Sequence, residues 1–145
     1  MQTLVTLGGL IASLLLSPWS VVCAQSASPP LPLGLWANVE EGMVLRITPC
    51  GDGFCGAAAG ALPNRSRPPR AGACGARILS DFRWNASAGR WEGRMQPPGR
   101  DNGLSGSITT DGAQRLRLQV RMLLLRKTMV FEPFKGVVDS ACTVS

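Results

Sequence analysis

Hydrophobic and polar residues alternate singly along much of this chain. Over 115–122, RLRLQVRM, the residues Leu116, Leu118, Val120 and Met122 fall on one side of an extended backbone, and Arg115, Arg117, Gln119 and Arg121 on the other. That is the pattern of a half-buried antiparallel strand with one wet face. GMVLRIT (42–48) sets Met43, Leu45 and Ile47 against Val44, Arg46 and Thr48, and KTMVFE (127–132) puts Met129 and Phe131 together. Between the runs stand Gly51-Asp52-Gly53, Asn85 to Gly89, Asp101-Asn102-Gly103 and Asp111-Gly112, which supply the positive backbone angles of tight hairpins. Beyond the N-terminal segment no window carries the 3.6-residue period of a long amphipathic helix. Many short strands at roughly even spacing predict an all-β barrel or sandwich. A barrel removes the edges that a small sheet must otherwise protect.

The ends of the chain depart from this pattern. Leu4 to Leu16 form an apolar run of about a dozen residues, short for a bilayer span. Val22-Cys23-Ala24 then places small residues before a cleavage point at Gln25, so 1–24 reads as a secretory signal, although Lys and Arg are missing ahead of the run. An acylated Cys23 is the competing reading; Val22 stands where a small residue is wanted, and Cys23 is taken as discarded. QSASPPLPL (25–33) is an extended linker, its prolines at 29, 30 and 32 forbidding helix. The domain is expected over 34–135, with a tail over 136–145 and no stable membrane span. The segment 60–75, rich in Pro, Gly and Arg, reads as a long loop. Asn64-Arg65-Ser66 and Asn85-Ala86-Ser87 match the glycosylation pattern, which means little if the source is bacterial.

Removing the signal leaves Cys50, Cys55, Cys74 and Cys142 of the five cysteines, an even number that reads as disulfides in an exported chain. A zinc site is disfavoured, because histidine is absent and only Cys50 and Cys55 form a close pair. A redox site calls for C-x-x-C at a helix start, whereas CGDGFC fits a turn between strands. Cys50 joined to Cys55 would lock that hairpin, and Cys74 with Cys142 would tie the central region to the tail. Four cysteines allow three pairings, and the sequence alone does not choose.

The formal net charge is +6, and all but Lys127 and Lys135 of the 15 basic residues are arginine. They are scattered singly except for Arg65, Arg67 and Arg70, which reads as solvated surface. Without histidine the usual serine or cysteine triad is impossible, and neither lysine sits in a serine–lysine motif. Glu40, Glu41, Asp81, Glu92, Asp101 and Glu132 show no spacing that singles out a catalytic pair. No glycine loop precedes a helix to cradle phosphate. Trp84 and Trp91 among Arg83, Arg90 and Arg94 make a weak version of a nucleic-acid platform. Enzymatic activity, a cofactor, a metal and nucleic acid are therefore not expected. Trp36 is expected to plug one barrel end, with Arg126 stacked over it as a structural pair.

The order of motifs GLW (34–36), VLRITPCGDGFCG (44–56), CGARILSDFRW (74–84), RWEGRMQPP (90–98), LSGSITT (104–110) and RKTMVFEP (126–133) resembles the exported bacterial family known as domain of unknown function 2147. The likeness spans most of 34–133 and is most specific at the cysteine–glycine pair. It implies a small lipocalin-like antiparallel barrel of about eight strands in the periplasm and no established reaction. Leu104 replaces the family's Tyr, Phe131 its late Trp and Met95 an Ile, and the segment after Pro98 is shortened. The Gly34-x-Trp36 start is similar to the lipocalin opening, which again implies the Trp36–Arg126 pair.

The functional expectation is a periplasmic or secreted barrel holding a small apolar or amphipathic ligand among Trp36, Met43, Leu45, Ile47, Leu116, Leu118, Val120, Met129 and Phe131. The alternative is an envelope interaction protein that uses Arg115, Arg117, Arg121 and the Arg65–Arg70 loop on anionic lipid or polymer. The ligand, the oligomeric state and the process are not legible.

Overall fold

The structure, a computed structural model, describes residues 27–62, 74–97 and 99–145. The signal segment, Cys23, Asn64, Arg65, Arg67 and Arg70 lie outside the described residues.

Eight strands follow one another: β1 Gly34–Asn38, β2 Met43–Cys50, β3 Gly53–Ala61, β4 Arg77–Asn85, β5 Arg90–Met95, β6 Leu104–Asp111, β7 Arg115–Met122 and β8 Leu125–Pro133. Each pairs antiparallel with the next, and β8 returns to β1 through Trp36↔Pro133 and Ala37↔Glu132. The result is a closed up-and-down barrel of the lipocalin-like kind. One end carries the tight turns β2–β3, β4–β5 and β6–β7. The other carries β1–β2, β7–β8 and the two longer connections.

Alternation sorts the side chains as the pattern predicts. Leu45, Ile47, Leu116, Leu118, Val120, Met129 and Phe131 are buried in one cluster with Trp36, Phe54, Phe82, Trp91 and Ile108. The centre is aromatic. Phe54 stacks on Phe82 at 5.4 Å between centroids, Trp91 meets Phe54 edge-on at 5.2 Å, and Trp84 meets Trp91 edge-on at 5.3 Å. Room for Phe82 comes from glycines at inward positions of β5 and β6. A Cβ on Gly93 would sit 2.6 Å from the Phe82 ring, and one on Gly106 3.2 Å from it. At one end the N-terminal segment closes over this core, where the Trp36 indole Nε1–H donates to the Pro32 carbonyl (2.9 Å) and Leu31 packs inward.

The structure departs from the sequence reading on the outer face of β1–β3. The alternation puts Val44 on the face of Arg46 and Thr48, yet it is fully buried with Ala37 and Ala59. Residues of the tail cover it. Phe134, Val138 and Val144 pack on that face, and Val137 and Ser145 exchange two backbone hydrogen bonds of 3.0 Å. The Asp139 carboxylate accepts from the N–H groups of Ala141 (2.9 Å) and Thr143 (2.8 Å), which shapes the bend. The Cys74–Cys142 disulfide fastens this clasp.

Candidate functional site

The CGDGFC motif is a structural staple. Cys50 and Cys55 are bonded, with Cα atoms 5.4 Å apart. Gly51 turns the chain at φ +58°. Asp81 lies near the two sulfurs, but these are joined to each other, which leaves its exposed carboxylate as the one open ligand atom of that group. With Cys74–Cys142, the two bridges are consistent with an oxidising, exported location. Among the described residues no helix is long and apolar enough to cross a membrane.

The residues expected to line a ligand cavity are brought together. Met43 is half-buried, and the other eight are buried against one another and the central rings. Trp84 and Trp91 belong to that interior, so they form no surface platform with Arg83, Arg90 and Arg94. Among the described residues three buried side-chain donors lack partners: the indole N–H groups of Trp84 and Trp91, and Nδ2 of Asn38.

Trp36 and Arg126 are not brought together. Trp36 faces inward opposite Pro133, seven residues and about 23 Å of strand from Arg126. Arg126 instead points outward, opposite Arg121 on β7. The reason is parity: Met129 and Phe131 occupy the inward positions of β8, which leaves Arg126, Thr128 and Val130 outside.

The outward positions of β5–β8 build a polar groove. Glu92, Ser107, Gln119 and Thr128 form one cross-strand row. Arg94, Ser105, Arg121 and Arg126 form the next, Ser105 standing one position from Gly106, whose partner is Val120. The groove encloses about 430 Å³, with Gly93 and Gly106 among its lining residues. These are the same glycines that the Phe82 ring demands from inside, so one requirement of the core thins the barrel wall here.

No family model, curated protein or solved structure matches this chain. The chemistry of the groove is therefore read from its own residues.

At one side the groove is neutral and held. The Glu92 carboxylate accepts from Asn85 Nδ2 (2.9 Å) on one oxygen and from Arg90 Nε (2.8 Å) on the other. The Asn85 hydrogen bond, then that from Arg90, holds its carboxyl below the ordinary value of 4.5. Arg94 turns away to donate to the Gly103 carbonyl at 3.1 Å. At the other side Arg121 and Arg126 face each other. Among the described residues the ion pairs are Arg90–Glu92, Arg115–Glu132 and Lys127–Glu41, so neither guanidinium has a carboxylate. Like charges directly opposite on neighbouring strands are unfavourable, and an anion between them would reverse the sign. Guanidinium groups suit phosphate and carboxylate because they donate in a planar fork, and the hydroxyls of Ser105 and Ser107 add donors within the same groove.

Of the basic residues singled out from the sequence, Arg121 lies in the groove. Arg115 approaches Glu132 at 4.0 Å, and Arg117 stands between Thr109 and Val130. Sequence reasoning missed Arg126 as a groove residue, along with Ser105, Ser107 and Gln119. The available signal was the hairpin: a two-residue turn at Leu123-Leu124 puts Arg121 opposite Arg126.

Proposed function

We propose that this protein is an envelope binding protein that takes an anionic group, a phosphate or a carboxylate of a lipid or polymer, on the outer face of β5–β8. The Arg121–Arg126 cross-strand pair carries this reading: two guanidiniums without a counter-charge, in a groove with two serine hydroxyls. A periplasmic location accords with the signal-like N-terminus and the paired cysteines. Membership of the family of domain of unknown function 2147 rests on the motif order alone.

The test is calorimetric titration with tripolyphosphate. Arg121→Gln/Arg126→Gln is expected to weaken binding at least tenfold, and raised salt should weaken the wild type, because exposed contacts are screened. Binding that is salt-independent, or unchanged in the double variant, would overturn the reading.

A second reading keeps a small amphipathic ligand inside the barrel. It is favoured by the two unpartnered indole N–H groups, since a buried donor without an acceptor is unfavourable by about 1–3 kcal/mol and a ligand oxygen would relieve it. Titration with the apolar dye N-phenyl-1-naphthylamine tests it. A saturable signal lost in Trp91→Phe supports an interior site, and no saturable signal refutes it.

A further inference from the structure

Three consecutive leucines form the tip of the β7–β8 hairpin. Leu123 and Leu124 make the turn and Leu125 opens β8, with exposures of 98 %, 100 % and 70 %. Singly exposed leucines are ordinary on protein surfaces; a contiguous apolar projection is not. The tip is also conformationally unfavourable. Leu123 has φ +51°, at the first position of a two-residue hairpin turn, where glycine or asparagine sits without steric cost. A bulky apolar residue is held where both solvent and backbone disfavour it, and that combination points to a partner for the side chain.

The surroundings say what kind of partner. A two-residue tip is convex, so it enters its partner. Immediately behind it stand Arg121 and Arg126, two residues back from the turn, about 7 Å along the strands. Lys127 is engaged by Glu41 of the β1–β2 connection at 2.6 Å, which braces the hairpin against its neighbour. Val39 on that same connection is 72 % exposed. An apolar tip followed by paired arginines matches the layering of an anionic bilayer. Interfacial segments seat about 5–10 Å into the headgroup–acyl boundary, and cations just behind them meet lipid phosphates.

We propose that the β7–β8 hairpin docks this protein on an anionic lipid bilayer, Leu123–Leu125 entering the headgroup–acyl boundary while Arg121 and Arg126 pair with lipid phosphates. The electrostatic half rests on the groove reading; the insertion of the leucines does not.

The test is co-sedimentation of the full chain with vesicles of phosphatidylcholine plus phosphatidylglycerol, and with phosphatidylcholine alone, beside the tripolyphosphate titration. The wild type should bind the mixed vesicles and prefer them. Leu123→Asn/Leu124→Ser, which also relieves the turn, should lower vesicle partitioning by about tenfold or more and leave tripolyphosphate binding unchanged. Arg121→Gln/Arg126→Gln should abolish the preference for phosphatidylglycerol. No vesicle binding by the wild type, or equal binding by the leucine variant, overturns the proposal. So does a wild-type dimer in sedimentation equilibrium that the leucine variant dissolves, which would assign the tip to a second copy of the chain. Leucine-dependent vesicle binding without tripolyphosphate binding would keep the hairpin and remove the groove.

Discussion

Gly53 is where the backbones of β3 and β4 come closest to forbidding a side chain. A Cβ placed there would lie 1.8 Å from the Phe82 carbonyl oxygen and 2.8 Å from its carbon. A carbon–oxygen contact is comfortable at roughly 3.3 Å, so Gly53→Ala demands that the strands part by about 1.5 Å. The obstacle is backbone, which cannot rotate aside. A ladder hydrogen bond near 2.9 Å would be stretched beyond about 4 Å and lost. Overpacking typically costs 1–3 kcal/mol, and one lost hydrogen bond about 1 kcal/mol. The expected destabilisation is therefore about 3 kcal/mol, transmitted to the stacked Phe54–Phe82 pair next door. Gly51→Ala is the control. That glycine has φ +58° and nothing within 4 Å of its would-be Cβ, so the loss is conformational, about 1 kcal/mol. Thermal unfolding with the disulfides intact, followed by tryptophan fluorescence, measures both. For a domain of this size the melting temperature should fall by about 15 °C for Gly53→Ala and about 5 °C for Gly51→Ala. If Gly53→Ala cost no more than Gly51→Ala, the close approach of β3 to β4 would be refuted.

The two disulfides should differ in worth. The chain-entropy relation gives about 2 kcal/mol for the Cys50–Cys55 bridge and about 4 kcal/mol for Cys74–Cys142, because they close separations of 5 and 68 residues; paired alanine variants compared by equilibrium unfolding check the order. Leu118→Ala should cost about 3 kcal/mol through the cavity it leaves, whereas Leu124→Ser should stay within about 0.5 kcal/mol, as read by the same unfolding curves. Glu92 has its carboxyl held below the ordinary value of 4.5 in the folded chain. Its contribution to stability is thus fully present above that value and is lost as pH falls through the lowered one. Asn85→Ala should move the Glu92 midpoint up toward 4.5, as followed by carboxyl NMR. Glu92→Gln should strengthen tripolyphosphate binding severalfold, since it removes the groove's anion and releases Arg90.

Period-two alternation was enough to assign faces in β2, β7 and β8, because each places large apolar residues at every second position and polar ones between. β5 and β6 were harder to read. Their inward rows include Gly93 and Gly106, and a glycine required by a neighbouring ring carries no hydrophobic signal. Val44 misled for the opposite reason. It looks like a stray apolar residue on a polar face, and only Phe134 and the tail 136–145, distant in sequence, explain its burial. A barrel-end tryptophan and a late-strand arginine suggest a stack of Arg126 on Trp36. The inward parity of Met129 and Phe131, already visible in the pattern, decides against it. The groove itself could not be seen without register, since its donors come from four strands.

The tail clasp gives the fold a timetable. The first three strands to leave the synthesis machinery carry an apolar outer patch at Ala37, Val44 and Ala59, and its lid is made only after all eight strands. During that interval the patch is a ready target for chaperones, and for the tail of a neighbouring molecule in the same state. An exchange of tails between two such molecules would bury the same surfaces and allow Cys74 of one to oxidise with Cys142 of the other. Dilution and slow oxidation during refolding should therefore favour monomers, and refolding at high protein concentration should favour covalent pairs.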